Sequence, residues 1–189
     1  MDYPFASRGR SRTPGWRLLS GLALLLFLSL GLVSCRGVEW FLLKRSLHGK
    51  FNDISWITTE QLANRLVDKD RLPPVLLDVR TPVEFEVSHL KGARQVDPKA
   101  EAQSAAKGLP KDAPIVTYCS VGYRSGEMAE RLRAAGYTRV QNLEGSIFQW
   151  ANERRPLVRG EGERVTRVHP HSAVWGRLLA PEVRAPVSP

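Results

Sequence analysis

The most constraining stretch of this sequence is a short apolar run that ends in a cysteine. Residues 115–118 are Ile-Val-Thr-Tyr, and such β-branched and aromatic runs are typical of buried strands. From residue 127 to 135 apolar side chains recur at helical spacing, and Gly136 supplies a stop signal. We therefore expect a strand, a polar loop and a helix in succession, with Cys119 where the strand ends.

This predicted connection gives Cys119 a chemical setting. Backbone N–H groups in a loop before a helix N-terminus attract negative charge and would stabilise a thiolate. Arg124 adds a positive charge nearby, and Gly122 lets the backbone turn without a Cβ penalty. Cys119 is therefore predicted to be a nucleophile. The alternative is a small buried apolar residue, which is the commoner role of a free cysteine.

The sequence before the cysteine alternates helix and strand signals. A capping box formed by Thr58 and Gln61 predicts a helix over 59–67, and the apolar run 75–79 is typical of a parallel strand. A second helix start lies at residues 81–84, where Pro82 occupies the first helical position. A helical piece over 97–106 and a strand over 139–143 complete the alternation. The pattern indicates an α/β fold with a parallel sheet.

Three motifs resemble those of the rhodanese, or sulfurtransferase, family. The stretch 119–125 is similar to the active-site loop of that family, and residues 76–93 resemble its Leu-Leu-Asp-Val-Arg signature and the segment that follows. Residues 142–150 are similar to its Gly-Gly-x-x-x-Trp ending, except that Ser146 stands where a second glycine is usual. The resemblance covers about residues 54–151, which we take as the domain.

The resemblance implies a three-layer fold, with helices on both faces of a parallel sheet, and assigns roles to particular residues. Cys119 would be the catalytic residue that carries sulfur as a persulfide, without a cofactor or a metal. The supporting framework would be Asp78, Arg80 and Glu84. The substrate-binding residues of the active loop would be Ser120, Val121, Gly122, Tyr123, Arg124 and Ser125. For Arg124 two roles are open, contact with an anionic donor and bracing of the loop.

The implied reaction moves a sulfane sulfur from a small anionic donor, such as thiosulfate, to cyanide, a thiol or a protein thiol. A weakly catalytic or non-catalytic module for partner recruitment or redox sensing is the main alternative. A cysteine phosphatase is a further one, but phosphatases that resemble rhodaneses have five residues between cysteine and arginine. Four residues separate Cys119 from Arg124, and the shorter loop suits a smaller group such as a terminal sulfur.

The first 35 residues have the features of a signal or anchor segment. Four arginines precede the apolar stretch 18–33, as in an n-region followed by an h-region. Residues 32–35 resemble a lipobox, in which Cys35 would be lipidated, and an uncleaved helical anchor is the alternative. Either way we expect membrane association through the N-terminus, with the side of the membrane open. Residues 36–53 would be a juxtamembrane linker that meets lipid headgroups or packs on the domain.

Composition argues against several other classes. The net charge is +9, but the arginines are scattered and no basic stripe is interleaved with aromatic residues, so no nucleic-acid partner is predicted. The two cysteines are far apart and indicate neither a disulfide framework nor a cysteine metal site.

Residues 152–189 form a C-terminal extension that is rich in Arg, Glu, Gly and Pro and is expected to be partly disordered. Within it, His169 and His171 lack the further ligands that a metal site needs. Trp175, Leu178 and Leu179 are spaced for one face of a short helix, which would pack on the domain or bind a partner.

Overall fold

A five-stranded parallel sheet forms the centre of the structure, a computed structural model that describes residues 36–186. Its strands occur in the spatial order β1-β5-β4-β2-β3, and every neighbouring pair is parallel. They are β1 Ser55–Ile57, β2 Val75–Asp78, β3 Arg94–Gln95, β4 Ile115–Tyr118 and β5 Val140–Leu143. The predicted α/β fold with a parallel sheet is confirmed.

Helices cover both faces of this sheet. Residues 36–50 are helical (α1), and the other helices are α2 Thr59–Val67, α3 Pro82–Val87, α4 Ala102–Ala105, α5 Tyr123–Ala134 and α6 Ser146–Asn152. Leu76 packs in a cluster with Leu62 of α2 and Phe148 of α6, whereas its neighbour Leu77 packs in another with Met128 of α5. Successive strand side chains point to opposite faces, so the sheet has an apolar core on each side.

Two helix starts near the site agree with the sequence. Thr58 caps α2 and Thr81 caps α3, each through a complete capping box with Gln61 and Glu84 respectively. Both helices begin at the residue that the capping signal predicts, because each box satisfies backbone donors at the helix terminus.

Other boundaries differ from those predicted. Helix α5 begins at Tyr123 rather than near residue 127, because Gly122 takes a left-handed conformation (φ +115°) and ends the loop early. Residues 123–126 show no apolar periodicity that would mark this first turn. At position 126 a glycine is required, because the Phe51 ring lies 2.5 Å from the position that a Cβ would take. Helix α4 has four residues rather than ten, since the Asp97 carboxylate accepts the Lys99 N–H in a turn before it.

The predicted linker 36–53 is largely a helix that packs on the sheet. Leu47 and Phe51 are buried, and Leu43 packs beside them, so one apolar stripe at spacing i, i+4, i+8 faces the core. Lys44 and His48 on this helix reach Glu144 at 2.9 and 3.0 Å. The folded body therefore starts before residue 54. No helix within residues 36–186 is both long and apolar enough to span a bilayer.

The C-terminal residues also belong to the folded body. Strands β6 Leu157–Arg159 and β7 Glu163–Val165 form an antiparallel pair, and two 3₁₀ helices follow at Trp175–Leu178 and Pro181–Val183. Residues 166–186, called the C-terminal segment below, insert Val168, Leu178, Leu179 and Val183 into the core cluster beneath α2 and α6. Of the two roles left open for the Trp175, Leu178 and Leu179 spacing, the structure shows packing on the domain, since Leu178 and Leu179 are buried. Val168 and Val183 lie outside any predicted periodic segment. Residues 152–186 are thus folded rather than a partly disordered extension.

The predicted n-region, the apolar stretch 18–33 and Cys35 lie outside the described residues, as do residues 187–189.

The burial of Leu179 gives a test of this packing. We expect Leu179→Ala to lower the free energy of unfolding by about 2–5 kcal/mol, because it removes a fully buried side chain and leaves a cavity. The matched control is Leu72→Ala, at a position that is 83% exposed, where a change within about 0.5 kcal/mol is expected. Equal, small effects in urea denaturation would show that the C-terminal segment does not contribute to the core.

Candidate active site

Cys119 directly follows β4, at the carboxyl edge of the sheet where open α/β folds place their sites. Two hydrogen bonds fix it. Its backbone N–H donates to Ser146 Oγ at 3.2 Å, and the Gly122 N–H donates to Cys119 Sγ at 3.2 Å. The residue is only 1% exposed. The thiol therefore lies at the bottom of the site, with a backbone donor directed at its sulfur.

The N-terminus of α5 lies beside this thiol and is open to an anion. Its N-cap, Gly122, offers no side-chain cap. Within residues 36–186 the backbone N–H groups of Tyr123, Arg124 and Ser125 have no acceptor. Together with the Gly122 N–H these groups form a positive helix end, which can bind an anion or a thiolate.

Buried polar contacts hold the loop in this shape. Asn142 Nδ2 donates to the Gly122 carbonyl at 2.9 Å, and Thr117 Oγ1 donates to the Ser125 carbonyl at 3.0 Å. Sequence reasoning did not assign either role. Asn142 opens the Asn-Leu-Glu-Gly motif, but a strand-end amide has no pattern that shows which carbonyl it will reach.

Arg124 is bound to Glu84 by two hydrogen bonds. Nη1 donates to Glu84 Oε2 and Nη2 to Oε1, each at 2.8 Å, and Nη2 also donates to Ser120 Oγ at 2.9 Å. Ser120 Oγ in turn donates to Glu84 Oε1 at 3.1 Å. Of the two roles that the sequence left open for Arg124, this geometry favours bracing of the loop.

Both members of this pair stay charged. Burial alone would raise the pKa of Glu84, but hydrogen bonds and attraction from Arg124, and donors from Thr81, hold it well below its ordinary value. Burial likewise lowers the pKa of Arg124, whereas its hydrogen bond to Glu84 and its electrostatic interactions with Cys119 and Glu84 raise it above its ordinary value. The Arg124 charge therefore lies within reach of the thiol, although Glu84 neutralises much of it.

Asp78 and Arg80 form a second pair that is completely buried. Arg80 Nε donates to Asp78 Oδ1 at 2.8 Å, and Nη2 donates to Asp78 Oδ2 and to the Ser88 carbonyl, both at 2.6 Å. The Arg80 carbonyl accepts from Gln95 of β3 at 2.7 Å. This pair joins β2, β3 and the turn after α3. Of the three predicted framework residues, Glu84 is the one that hydrogen-bonds to active-loop side chains within residues 36–186.

The flanking segments also reach the active loop, which the sequence did not indicate. Leu47 Cδ1 of α1 lies 3.4 Å from where a Cβ on Gly122 would be, and Phe51 packs edge-on against Tyr123 with ring centroids 5.8 Å apart. From the C-terminal segment, His171 Nδ1 lies 3.4 Å from Glu84 Oε1. Within residues 36–186, no three His, Cys, Asp or Glu side chains are grouped to hold a metal ion.

Ser146 replaces the usual glycine and has a direct role at the site. It is fully buried in a left-handed conformation (φ +49°), where a glycine would be less strained. Its hydroxyl donates to the Leu143 carbonyl at 3.2 Å and accepts the Cys119 N–H at the same distance. The hydroxyl thus satisfies the buried backbone donor of Cys119, which a glycine could not do.

Substitution of Ser146 separates the hydrogen bond from the strain. We expect Ser146→Ala to lower the free energy of unfolding by about 1–3 kcal/mol, because the buried Cys119 N–H loses its acceptor while the strained backbone remains. Ser146→Gly loses the same acceptor but gains backbone freedom at positive φ, so its loss should be smaller. Urea denaturation of both variants checks the order, and an alanine variant as stable as wild type would contradict it.

Comparison with known proteins agrees with this geometry. Residues 58–153 match the rhodanese-like domain family. A sulfurtransferase of Allochromatium vinosum is 36% identical over 109 residues, which cover 58% of this chain and 99% of that protein. The thiosulfate sulfurtransferase PspE of Escherichia coli is 34% identical over 70 residues, or 36% of this chain and 67% of that protein. Some other relatives are longer, and the chain spans 26% of their length.

A solved structure supports the fold. The rhodanese-like domain of an Anabaena protein aligns with a TM-score of 0.51 at 23% identity, over 56% of this chain and 79% of that one. Its likeness extends to the arrangement of the sheet and helices. The family match over residues 58–153 and the Allochromatium relative show that this chain belongs to the rhodanese-like domain family.

Proposed function

We propose that this protein is a sulfurtransferase that carries sulfur on Cys119 as a persulfide, with a small anionic donor such as thiosulfate. The observation that carries the proposal is the thiol placed against the open N-terminus of α5, with the Gly122 N–H directed at its sulfur. The similarity to proteins named sulfurtransferase and thiosulfate sulfurtransferase supports the same chemistry.

In the first step the Cys119 thiolate attacks the outer sulfur of thiosulfate. A bond forms between Cys119 Sγ and that sulfur, while the sulfur–sulfur bond of thiosulfate breaks and sulfite leaves with the bonding electron pair. The N–H groups of residues 122–125 lie where they can stabilise the thiolate and then the anionic persulfide. No external oxidant or reductant is needed, because the sulfane sulfur is transferred at the oxidation level of elemental sulfur. One bond to it forms, one breaks, and the electron pair of the broken bond leaves with sulfite.

In the second step an acceptor thiolate or cyanide attacks the terminal sulfur of the persulfide. The acceptor gains that sulfur, and the Cys119 thiolate leaves with the electron pair and is regenerated. Thiocyanate forms from cyanide, and a new persulfide forms from a thiol. The site residues of this chain therefore complete a cycle of two nucleophilic displacements at sulfur.

The depth of the thiol favours a donor with a thin reactive end. Cys119 is nearly fully buried, and the loop beside it is held by the Glu84–Arg124 pair. A single terminal sulfur atom can reach such a site more readily than a tetrahedral phosphoryl group with its ester substituent. Burial and the short loop therefore both favour sulfur transfer over phosphate-ester hydrolysis.

The central test is intact mass spectrometry of the full-length protein before and after thiosulfate. We expect a gain of one sulfur atom, located by peptide mapping on Cys119, and its loss when cyanide or a thiol is added. Cys119→Ser should show no gain, whereas Cys35→Ser should behave like wild type.

A lack of sulfur gain with several sulfane donors would contradict persulfide chemistry. The module for partner recruitment would then be the better description of this domain.

Membrane attachment is a separate proposal and rests mainly on the sequence of residues 1–35. On α1, the side chains of Phe41 and Leu42 are 64% and 58% exposed and lie next to Arg45, which supports contact with lipid headgroups. We expect the full-length protein to sediment with membranes.

Metabolic labelling with a fatty-acid analogue distinguishes the two attachments. Labelling that disappears in Cys35→Ser indicates a lipid anchor, and membrane recovery without labelling indicates a helical anchor. Recovery of wild type in the soluble fraction would contradict attachment of either kind.

A further inference from the structure

His171 lies beside the active loop although it is outside the part of the chain that matches the family. The match ends at residue 153, and the C-terminal segment then returns to the body through its buried Leu178 and Leu179. This path places His171 Nδ1 3.4 Å from Glu84 Oε1. Nδ1 lies close to a carboxylate, which accepts hydrogen bonds but does not donate them, so the contact is favourable when this nitrogen carries a proton.

The backbone around His171 is held in an uncommon conformation. His171 has φ +63°, in the left-handed region, and its N–H donates to His169 Nδ1 at 3.0 Å. Pro170 packs so closely on Gly176 that a Cβ there would lie 2.8 Å from the proline Cβ. Such a conformation persists where the surrounding structure holds it, which often occurs at functional sites. The turn therefore directs a specific side chain toward Glu84.

Three side chains converge on one oxygen of Glu84. Oε1 accepts from Arg124 Nη2 at 2.8 Å and from Ser120 Oγ at 3.1 Å, and His171 Nδ1 approaches it at 3.4 Å. Ser120 adjoins Cys119 in the chain. A continuous series of contacts thus leads from the C-terminal segment through Glu84 to Arg124 and the loop that carries the thiol.

This geometry affects the charge that an incoming anion meets. Glu84 binds Arg124 through both carboxylate oxygens, so it cancels much of the positive charge beside the thiol. A further donor on Oε1 offsets part of the carboxylate charge, and the field of Arg124 at the loop is then cancelled less completely. Removal of that donor should make the loop less positive.

We propose that His171 is a positioning residue that binds Glu84, weakens its neutralisation of Arg124 and thereby favours anionic sulfur donors at Cys119. Its relevance to sulfur donors rests on the function proposed above, whereas its effect on the charge at Cys119 does not. This role belongs to the C-terminal segment, not to the domain that matches the family.

The ratio of two alkylation rates measures that charge directly. Iodoacetate is an anion and iodoacetamide is neutral, but both react with a thiolate by the same displacement of iodide. The ratio of their rates at Cys119 cancels differences in thiolate fraction and in access, and it reports the local field. The rates are measured on the full-length protein by mass spectrometry of the peptide that contains Cys119.

We expect His171→Gly to lower the iodoacetate-to-iodoacetamide ratio about two- to fivefold, the range of a half-exposed ionic contact. Glycine suits the left-handed backbone, so strain is not added. His171→Asn tolerates the same backbone and retains an N–H donor, so the ratio should stay within about twofold of wild type. His171→Asp places a second carboxylate beside Glu84 and should lower the ratio at least as far as His171→Gly.

Glu182→Gln is the matched control for docking of the segment. It removes the exposed ion pair in which Arg154 Nη2 lies 2.8 Å from Glu182 Oε1. This ion pair also joins the C-terminal segment to the body. We expect this variant to leave the ratio unchanged. Thermal unfolding of each variant identifies any that fails to fold. If His171→Gly fails to fold, His171→Asp takes its place in the comparison.

The outcomes separate the two proposals. An unchanged ratio in a folded His171→Gly variant, or an equal decrease in Glu182→Gln, would overturn the role of His171. A lower ratio with a KM for thiosulfate raised by a similar factor and kcat within about twofold would support it. A lower ratio in a protein that accepts no sulfur from any donor would leave the charge effect standing and overturn the sulfurtransferase function.

Discussion

The buried carboxylate of Glu84 holds the site together, because it joins segments that are distant in the sequence. It completes the capping box of α3 with Thr81, and it accepts hydrogen bonds from Ser120 and Arg124 on either side of the α5 N-cap. A buried charge is costly unless it is paired and fully hydrogen-bonded, so each of these partners is needed to keep the others in place. The shape of the active loop therefore depends on a residue in a different helix.

This pairing decides which groups are available to bind an anion. Arg124 has two of its donors on Glu84, and Arg80 is paired with Asp78 in the layer below. The Gly122 N–H is directed at the thiol, and within residues 36–186 the backbone N–H groups at the start of α5 beside it have no acceptor. A cradle of backbone dipoles suits a reaction in which negative charge moves between sulfur atoms, because it stabilises each anion in turn without forming a permanent ion pair.

Local signals in the sequence predicted the parts of the fold that local chemistry determines. The capping boxes at Thr58 and Thr81 and the apolar strand at 115–118 act within a few residues, so they could be recognised directly. The start of α5 was missed because its first turn, residues 123–126, has no apolar periodicity, and the glycine at 126 makes room for Phe51 from another segment. In the C-terminal segment the spacing of Leu178 and Leu179 indicated a short helix that could pack on the domain, but the burial of Val168 and Val183 was missed, since these residues fill gaps in a core that other elements build. The same holds at the site. Local motifs were enough to indicate Cys119, whereas the contact between His171 and Glu84 depends on how the C-terminal segment folds back onto the domain.

The elements outside the family match are thus part of the site's structure. Leu47 and Phe51 pack against the loop from the N-terminal side, and His171 reaches Glu84 from the C-terminal side. The sheet and the loop motif place a thiol at a helix N-terminus, but they do not set the rigidity or the charge around it. In this protein the two flanking segments contact the loop and its carboxylate directly. A fragment cut to residues 58–153 would keep Cys119 and lose these contacts, so the reactivity of its thiol would describe the family motif rather than this protein.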